Sequence, residues 1–230
     1  MKEVAEVVFL GIKPYSESSL WVRFFSEKHG LQNGIIKGGK KKKIKPFVLG
    51  LYHVSFYRWS DSGLQNIVDL ERSRSLEGTY NSPVKILIAF FVAESLKSFL
   101  NNEVVDQSFF AFIKSSIIDL NKEVKVKAFP VLFLARLIHY SGHQPLKTEG
   151  GGLLKFDIKT GVFDPQEASN DCVDDPLLVA SIYDLFYNAG KNLDGRENRI
   201  FNILLSYCAY HIPSYESRQS VEIIRETLYD

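Results

Sequence analysis

The chain has 230 residues, two cysteines, eight prolines and a formal net charge of +1. At 45% hydrophobic and 24% charged it carries enough apolar surface to bury a sizeable core, which excludes disorder. Cys172 and Cys208 are too few for a disulfide framework or a four-cysteine zinc site. The start, MKEVAEVVFLGIK, lacks the apolar run and cleavage site of a signal peptide, and no apolar stretch of about 18 residues occurs, so a soluble cytoplasmic protein is expected.

The near-neutral total hides an asymmetry. Residues 1 to 80 carry 13 Lys/Arg against 8 Asp/Glu, and residues 81 to 230 carry 15 against 19, so a basic part at +5 precedes an acidic part at −4. Such a split suits a protein that meets a polyanion through one region and something else through another. Chance unevenness of a solvated surface is the plainer alternative.

In the basic part, Val4 to Ile12, Leu20 to Phe25, Leu31 to Ile36, Leu49 to Trp59 and Leu64 to Leu70 are rich in β-branched and aromatic residues and are separated by short polar segments. Five strands of that size predict a small barrel. In LYHVSFYRW, Tyr52, Val54, Phe56 and Arg58 share one face, and Leu51, His53, Ser55, Tyr57 and Trp59 share the other. Asp61, Ser62 and Gly63 read as the tight connection to the fifth strand.

Between the third and fourth strands, Lys37, Lys40, Lys41, Lys42, Lys43 and Lys45 place six cations within nine positions. Like charges at this density repel, so the run reads as a loop that meets an external anion, phosphate above all, in a way that salt weakens. The alternative is an ordinary solvated loop. Arg23 and Arg58 on neighbouring strands extend the basic surface. Tyr57 and Trp59 are read first as core, as aromatics in barrel strands usually are, and second as platforms for stacking bases. Neither glycine fingerprint for nucleotide phosphates is present.

The period changes near residue 82. Ser82 and Pro83 read as N-cap and first helical residue, and Val84, Leu87, Ile88, Phe91, Val92, Ser95, Leu96 and Phe99 follow helical spacing. Further helices are expected at about 106–120, 126–141, 176–188, 195–212 and 216–228. Gly150, Gly151 and Gly152 lead into a short hairpin near 153–163 with Thr160 and Gly161 at its tip. The fold class is therefore α+β: a five-stranded barrel over 1–80, then a helical domain over 81–230.

Candidates for chemistry are few. Asp171, Asp174 and Asp175 form the nearest acidic group, but they precede Pro176 and an apolar helix, where capping is the simpler role. His139 and His143 have helical spacing, yet Tyr140 stands where a zinc-binding helix would carry glutamate, and Gly142 ends the helix. Cys208 reads as core and Cys172 as a loop residue. No catalytic group, metal or cofactor is expected. Most of the phenylalanines Phe90, Phe91, Phe99, Phe109, Phe110, Phe112, Phe129 and Phe133 read as core. If some line a groove flanked by Lys97, Lys114 or Arg136, an acidic amphipathic peptide would fit there.

Taken together, YSESSLWVRFFSEKHGLQNGIIKGGKKKK at 15–43, AESL at 93–96, YSGHQP at 140–145, FDIKTGVF at 156–163 and HIPSYESRQSVEII at 211–224 resemble the RecO family of bacterial recombination mediators. Its zinc-free, Bacteroidetes-type members are the most similar. The resemblance implies an oligonucleotide-binding (OB) barrel and a helical domain. It also implies binding of single- and double-stranded DNA, annealing of strands coated by single-stranded DNA-binding protein, and RecA loading together with RecR. It places Arg23, Lys37 and the basic residues after Gly38 in the DNA-contacting region, and docks the tail of single-stranded DNA-binding protein on the helical domain. Action in the cytoplasm at the nucleoid follows. Many members hold zinc with four cysteines; here the corresponding stretch offers only Cys172, so zinc is not expected. The competing readings are a structural or peptide-binding adaptor without DNA contact and a metal-dependent nuclease.

Overall fold

The computed structural model describes residues 3–41, 45–57, 63–100, 107–148, 152–188, 190, 193–213, 215 and 219–229. The expected positions Lys42, Lys43, Arg58, Trp59, Asp61, Ser62, Gly150 and Gly151 lie outside them. Chain contacts divide the protein into two compact units, Met1–Glu123 and Val124–Asp230.

The first unit is built on a closed barrel of β1 (Glu3–Pro14), β2 (Leu20–Ser26), β3 (Gly30–Ile36), β4 (Leu51–Phe56) and β5 (Leu64–Arg72), in the order β1-β2-β3-β5-β4. All five expected strands are present. Neighbours are antiparallel except β3 and β5, which run parallel from Asn33 beside Leu64 to Ile36 beside Ile67. Alternation sends Val7, Phe9, Val22, Phe24, Tyr52, Val54, Phe56 and Ile67 inward, and Phe9 stacks on Tyr52 at 4.9 Å between ring centroids. Each such side chain stabilises the barrel by roughly 1.5–3 kcal/mol through burial.

Three helices pack with this barrel: α1 (Glu77–Tyr80), α2 (Pro83–Phe99) and α3 (Gln107–Lys122). The very short α1 is not among the sequence-based expectations. Strand gives way to helix where the period changes, while the compact unit runs on to Glu123, because the outer surface of the barrel needs a cover. Phe25, pointing outward from β2, meets Phe109 and Phe110 of α3 at 6.1 and 5.9 Å. Glu6 of β1 accepts from Lys114 at 2.7 Å and from Ser73 at 2.5 Å. Burial alone would raise the Glu6 pKa, but these partners outweigh it and hold the carboxyl below its ordinary range.

On α2, Ser82 is the expected N-cap, accepting from the Lys85 amide. Ile88, Phe91, Val92, Ser95 and Leu96 are buried as the spacing requires. Lys85 is buried as well, its ammonium donating at 2.9 Å to the Asn121 carbonyl at the C-terminus of α3, where the helix dipole favours a cation. The Asn121 side chain accepts from the Thr79 amide at 3.0 Å. Gly78 allows this close approach, since a Cβ there would stand 2.3 Å from the Asn121 carbonyl oxygen.

The second unit holds α4 (Phe129–Tyr140), α5 (Pro176–Tyr187), α6 (Glu197–His211) and α7 (Gln219–Ile224) around Val131, Leu134, Leu137, Val179, Ile182, Phe201, Leu204 and the fully buried Cys208. A 3-10 turn, Val126–Ala128, precedes α4, and a π turn, Arg225–Tyr229, follows α7. The expected hairpin is the centre of a four-stranded sheet, β6 (Leu146–Lys147), β7 (Phe156–Asp157), β8 (Val162–Phe163) and β9 (Cys172–Val173), ordered β6-β8-β7-β9. Cys172 therefore lies on a strand and not in a loop.

Strands of two residues cannot hold a sheet by pairing alone, and two carboxylates complete it. Fully buried Asp157 accepts from the amides of Lys159, Thr160 and Ser169 and from the Ser169 hydroxyl at 2.6–3.1 Å. Asp164 accepts from the amides of Leu153, Leu154 and Lys155 at 2.6–2.8 Å. Phe156 and Phe163 pack beneath at 4.7 Å.

Two outcomes are expected. Gly78→Ala destabilises the first unit by about 2 kcal/mol through steric conflict with the Asn121 backbone, read as a lowered denaturant midpoint at unchanged slope. Burial would raise the Asp157 pKa, but its hydrogen bonds hold it below the ordinary 3.8. Its contribution is therefore present above that value and lost as pH falls through the depressed one. Asp157→Asn flattens the acid limb of stability against pH, and an unchanged limb would contradict the assignment.

Candidate nucleic-acid interface

Because β5 separates β3 from β4, the chain leaving Ile36 crosses an end of the barrel before it returns at Leu51, and the lysine run occupies this crossing. Its first part is a tight turn with Gly38 at φ +67°, where the Gly39 amide bonds to the Ile36 carbonyl at 3.1 Å and the Lys41 amide to the Gly38 carbonyl at 2.9 Å. Lys40 ties the turn to the β1–β2 loop, its amide donating to the Ser18 carbonyl at 3.0 Å and its ammonium to the Ser16 carbonyl at 2.7 Å. The Lys45 ammonium donates to the Lys40 carbonyl.

The crossing is anchored at its far side by Tyr52. The ring lies in the barrel core while the hydroxyl accepts from the Phe47 amide at 3.0 Å and donates to the Lys45 carbonyl at 3.2 Å. Burial raises the Tyr52 pKa, so the donor is retained. Phe47 stacks on Tyr80 at 4.5 Å, and the Arg72 guanidinium lies 5.7 Å from its ring centroid. Lys37, Lys40, Lys41 and Lys45 are all exposed. The structure thus brings the described part of the lysine run together with the loop Tyr15–Ser19, whose Tyr15 is 59% exposed.

Arg23 lies apart from this turn, on the outer face of β1, β2 and β3. That face carries two cross-strand rows, Lys13–Trp21–Ile35 and Gly11–Arg23–Asn33. The Lys13 ammonium sits over the Trp21 indole at 5.7 Å. The Arg23 Nε and the Asn33 Oδ1 are both buried and make no hydrogen bond among the described residues. An orphaned buried group of this kind costs about 1–3 kcal/mol. Over Gly11 the Lys97 side chain of α2 reaches toward Arg23, its ammonium 3.6 Å from where a Cβ would lie.

Sequence reasoning did not single out Trp21. Its signal is the alternation in LWVRFF, which turns Val22 and Phe24 inward and Trp21, Arg23 and Phe25 outward. Tyr57 is 71% exposed, contrary to the core reading, because β4 ends at Phe56. Of the residues proposed to flank a peptide groove, Lys97 and Lys114 belong to the first unit and Arg136 to the second. The Lys114 ammonium is engaged by Glu6, and Arg136 is exposed on α4.

Among the described residues no group of three or more His, Cys, Asp or Glu side chains could hold a metal. Asp175 caps α5, accepting from the amides of Leu178 and Leu177 and from Arg199, which together hold its pKa down. His139 is bonded to Gln144, and His143 to Ser141 at 3.1 Å. An open cleft of about 410 Å³ runs along β9 past Asp174, Arg199 and Asn202. Burial raises the pKa of the Cys172 thiol on its wall, which keeps it protonated. No described helix is long and apolar enough to cross a membrane.

The fold is thus a closed five-stranded barrel of OB type followed by helices and a small sheet. Within it, residues 1–76 match the family model described as Recombination protein O N terminal. The chain is similar to the DNA repair protein RecO of Flavobacterium psychrophilum, 25% identical over 96% of each chain. It is also similar to that of Christiangramia forsetii, 21% identical over 96% of this chain and 97% of the relative. The DNA repair protein RecO of Bacteroides fragilis is 23% identical over 97% of both. Over nearly its whole length the chain is thus similar to bacterial RecO proteins.

Proposed function

We propose that this protein is a non-enzymatic recombination mediator. It binds single- and double-stranded DNA, anneals complementary strands coated with single-stranded DNA-binding protein, and with RecR promotes RecA loading in the cytoplasm at the nucleoid. The observation that carries this reading is the lysine crossing of the barrel, in a chain similar to RecO proteins from end to end. Lys37, Lys40, Lys41, Lys42, Lys43 and Lys45 contact phosphates, with Arg23 and Arg58 extending the surface. Tyr57 and Trp59 stack on bases at its edge. The proposed DNA-binding segment is 1–80, and the proposed partner-binding segment is 81–230.

No covalent step is involved. Annealing is held back by repulsion between two phosphate backbones, and ammonium groups on an exposed crossing neutralise both while base edges stay free to pair. The tail of single-stranded DNA-binding protein, acidic and apolar, docks on the helical segment, with Lys97, Lys114 or Arg136 flanking its groove. No metal or cofactor enters this scheme.

Affinity for a labelled single strand falls steeply between about 50 and about 200 mM salt. Replacing Lys40, Lys41, Lys42 and Lys43 by alanine reduces the slope of log affinity against log salt by about 2 to 3, at roughly 0.7 per lost phosphate contact. The same variant slows annealing of strands coated with single-stranded DNA-binding protein. A variant that keeps the wild-type slope and annealing rate would remove the lysine crossing from the interface, and a wild-type chain that binds no DNA would leave the adaptor reading.

A further inference from the structure

Three features of the outer face of β1, β2 and β3 are unexplained by folding. Trp21 is a large aromatic turned out of the barrel, where the cover supplied by α3 over Phe25 does not account for it. Its half-buried ring carries the ammonium of Lys13, whose own side chain is exposed. Directly beside it, Arg23 and Asn33 face each other across β2 and β3 with a buried donor and a buried acceptor left unmatched among the described residues. Native proteins rarely leave such a pair in place without a use for it.

We propose that this face is a subsite for one unpaired nucleotide, with the base stacked on Trp21 and its phosphate held by Arg23 and Lys13. The inference rests on the reading of the protein as DNA-binding and adds a discrimination that the lysine crossing cannot supply. Ammonium groups on an exposed turn meet any phosphate, paired or not. An indole face accepts only a base that has left its stack, and it accepts every base because each has a π surface.

The chemistry of the row fits this ligand. Among the described residues the Arg23 Nε has no hydrogen bond to give up when the guanidinium turns to a phosphate. Once a base displaces Lys13 from the indole, the ammonium is one row from Arg23 and able to take the same phosphate. The Lys97 side chain reaches over Gly11 beside Arg23, its ammonium 3.6 Å from where a Cβ on Gly11 would stand, so a further cation borders the row.

The test compares full-length wild type, Trp21→Ala and Trp21→Phe on a labelled thymidine oligonucleotide and on a duplex of equal length. Trp21→Ala is expected to weaken the single strand about tenfold, the effect of losing one stacked base. Duplex affinity stays within about twofold of wild type, because phosphate contacts remain, and Trp21→Phe retains most of the single-strand affinity. In a Trp59→Phe background, where Trp21 is the only tryptophan, the oligonucleotide quenches the indole fluorescence and the duplex does not. Unchanged single-strand affinity in Trp21→Ala, equal losses on both ligands, or no selective quenching overturns the subsite while leaving DNA binding intact. If Trp21→Ala fails to fold, the Phe variant and the quenching decide. A wild type that binds neither ligand overturns the functional reading itself, and the subsite with it.

Discussion

Closure of the barrel by a parallel pairing is the constraint from which the rest of the first unit follows. Bringing Asn33–Ile36 beside Leu64–Ile67 puts β4 on the far side of β5, where it completes the ring by pairing with β1. Parallel neighbours cannot be joined by a tight turn, and β3 cannot reach β4 by one either. The chain must therefore cross an end of the barrel between residues 37 and 50. A run of lysines within a strand would set like charges against their neighbours, whereas on the crossing the charges spread into solvent. Tyr52 joins the two levels, with its ring part of the core and its hydroxyl fixing the backbone on which Lys45 and Phe47 sit.

The barrel wall also differs from side to side. Lys13, Trp21 and Arg23 line the outer surface of β1 and β2, while Glu6, His53 and Glu71 form a cross-strand row over β1, β4 and β5. Glu6 is bound to Lys114, so α3 is held by charge on this side and by Phe25, Phe109 and Phe110 on another. A polyanion approaching such a barrel is drawn to the basic strands and turned from the acidic ones, which sets orientation before any specific contact forms. Overall neutrality conceals this polarity.

Much of the architecture was legible in the residues. The strands announced themselves by β-branched and aromatic runs, and α2 by Ser82 and Pro83. The Asp175 cap was readable from its place before Pro176. What escaped was what depends on distant partners. Nothing in EGTY marks a helix; it forms because Gly78 lets the chain lie against the end of α3. The hairpin near 153–163 was visible, but β6 and β9 were not, since two-residue strands have no pattern and Asp157 finds its partner Ser169 only on folding. Tyr57 was misjudged because the strand stops one residue before it. Trp21 stands in plain alternation with Val22 and Phe24, a signal that charge density in the neighbouring loop does not carry. The lysine crossing was recognised from charge density, but its attachment to Ser16 and Ser18 is a matter of tertiary geometry.

The second unit carries a feature whose meaning is topological. The Tyr229 hydroxyl donates to the Lys127 carbonyl at 3.2 Å and its ring packs on Phe201 at 5.5 Å, so residues far apart in the chain are fastened beside one another. A segment closed on itself in this way has no privileged starting point. Its order of synthesis is an accident of the gene, and the same packing is open to a sequence cut elsewhere and rejoined at this seam.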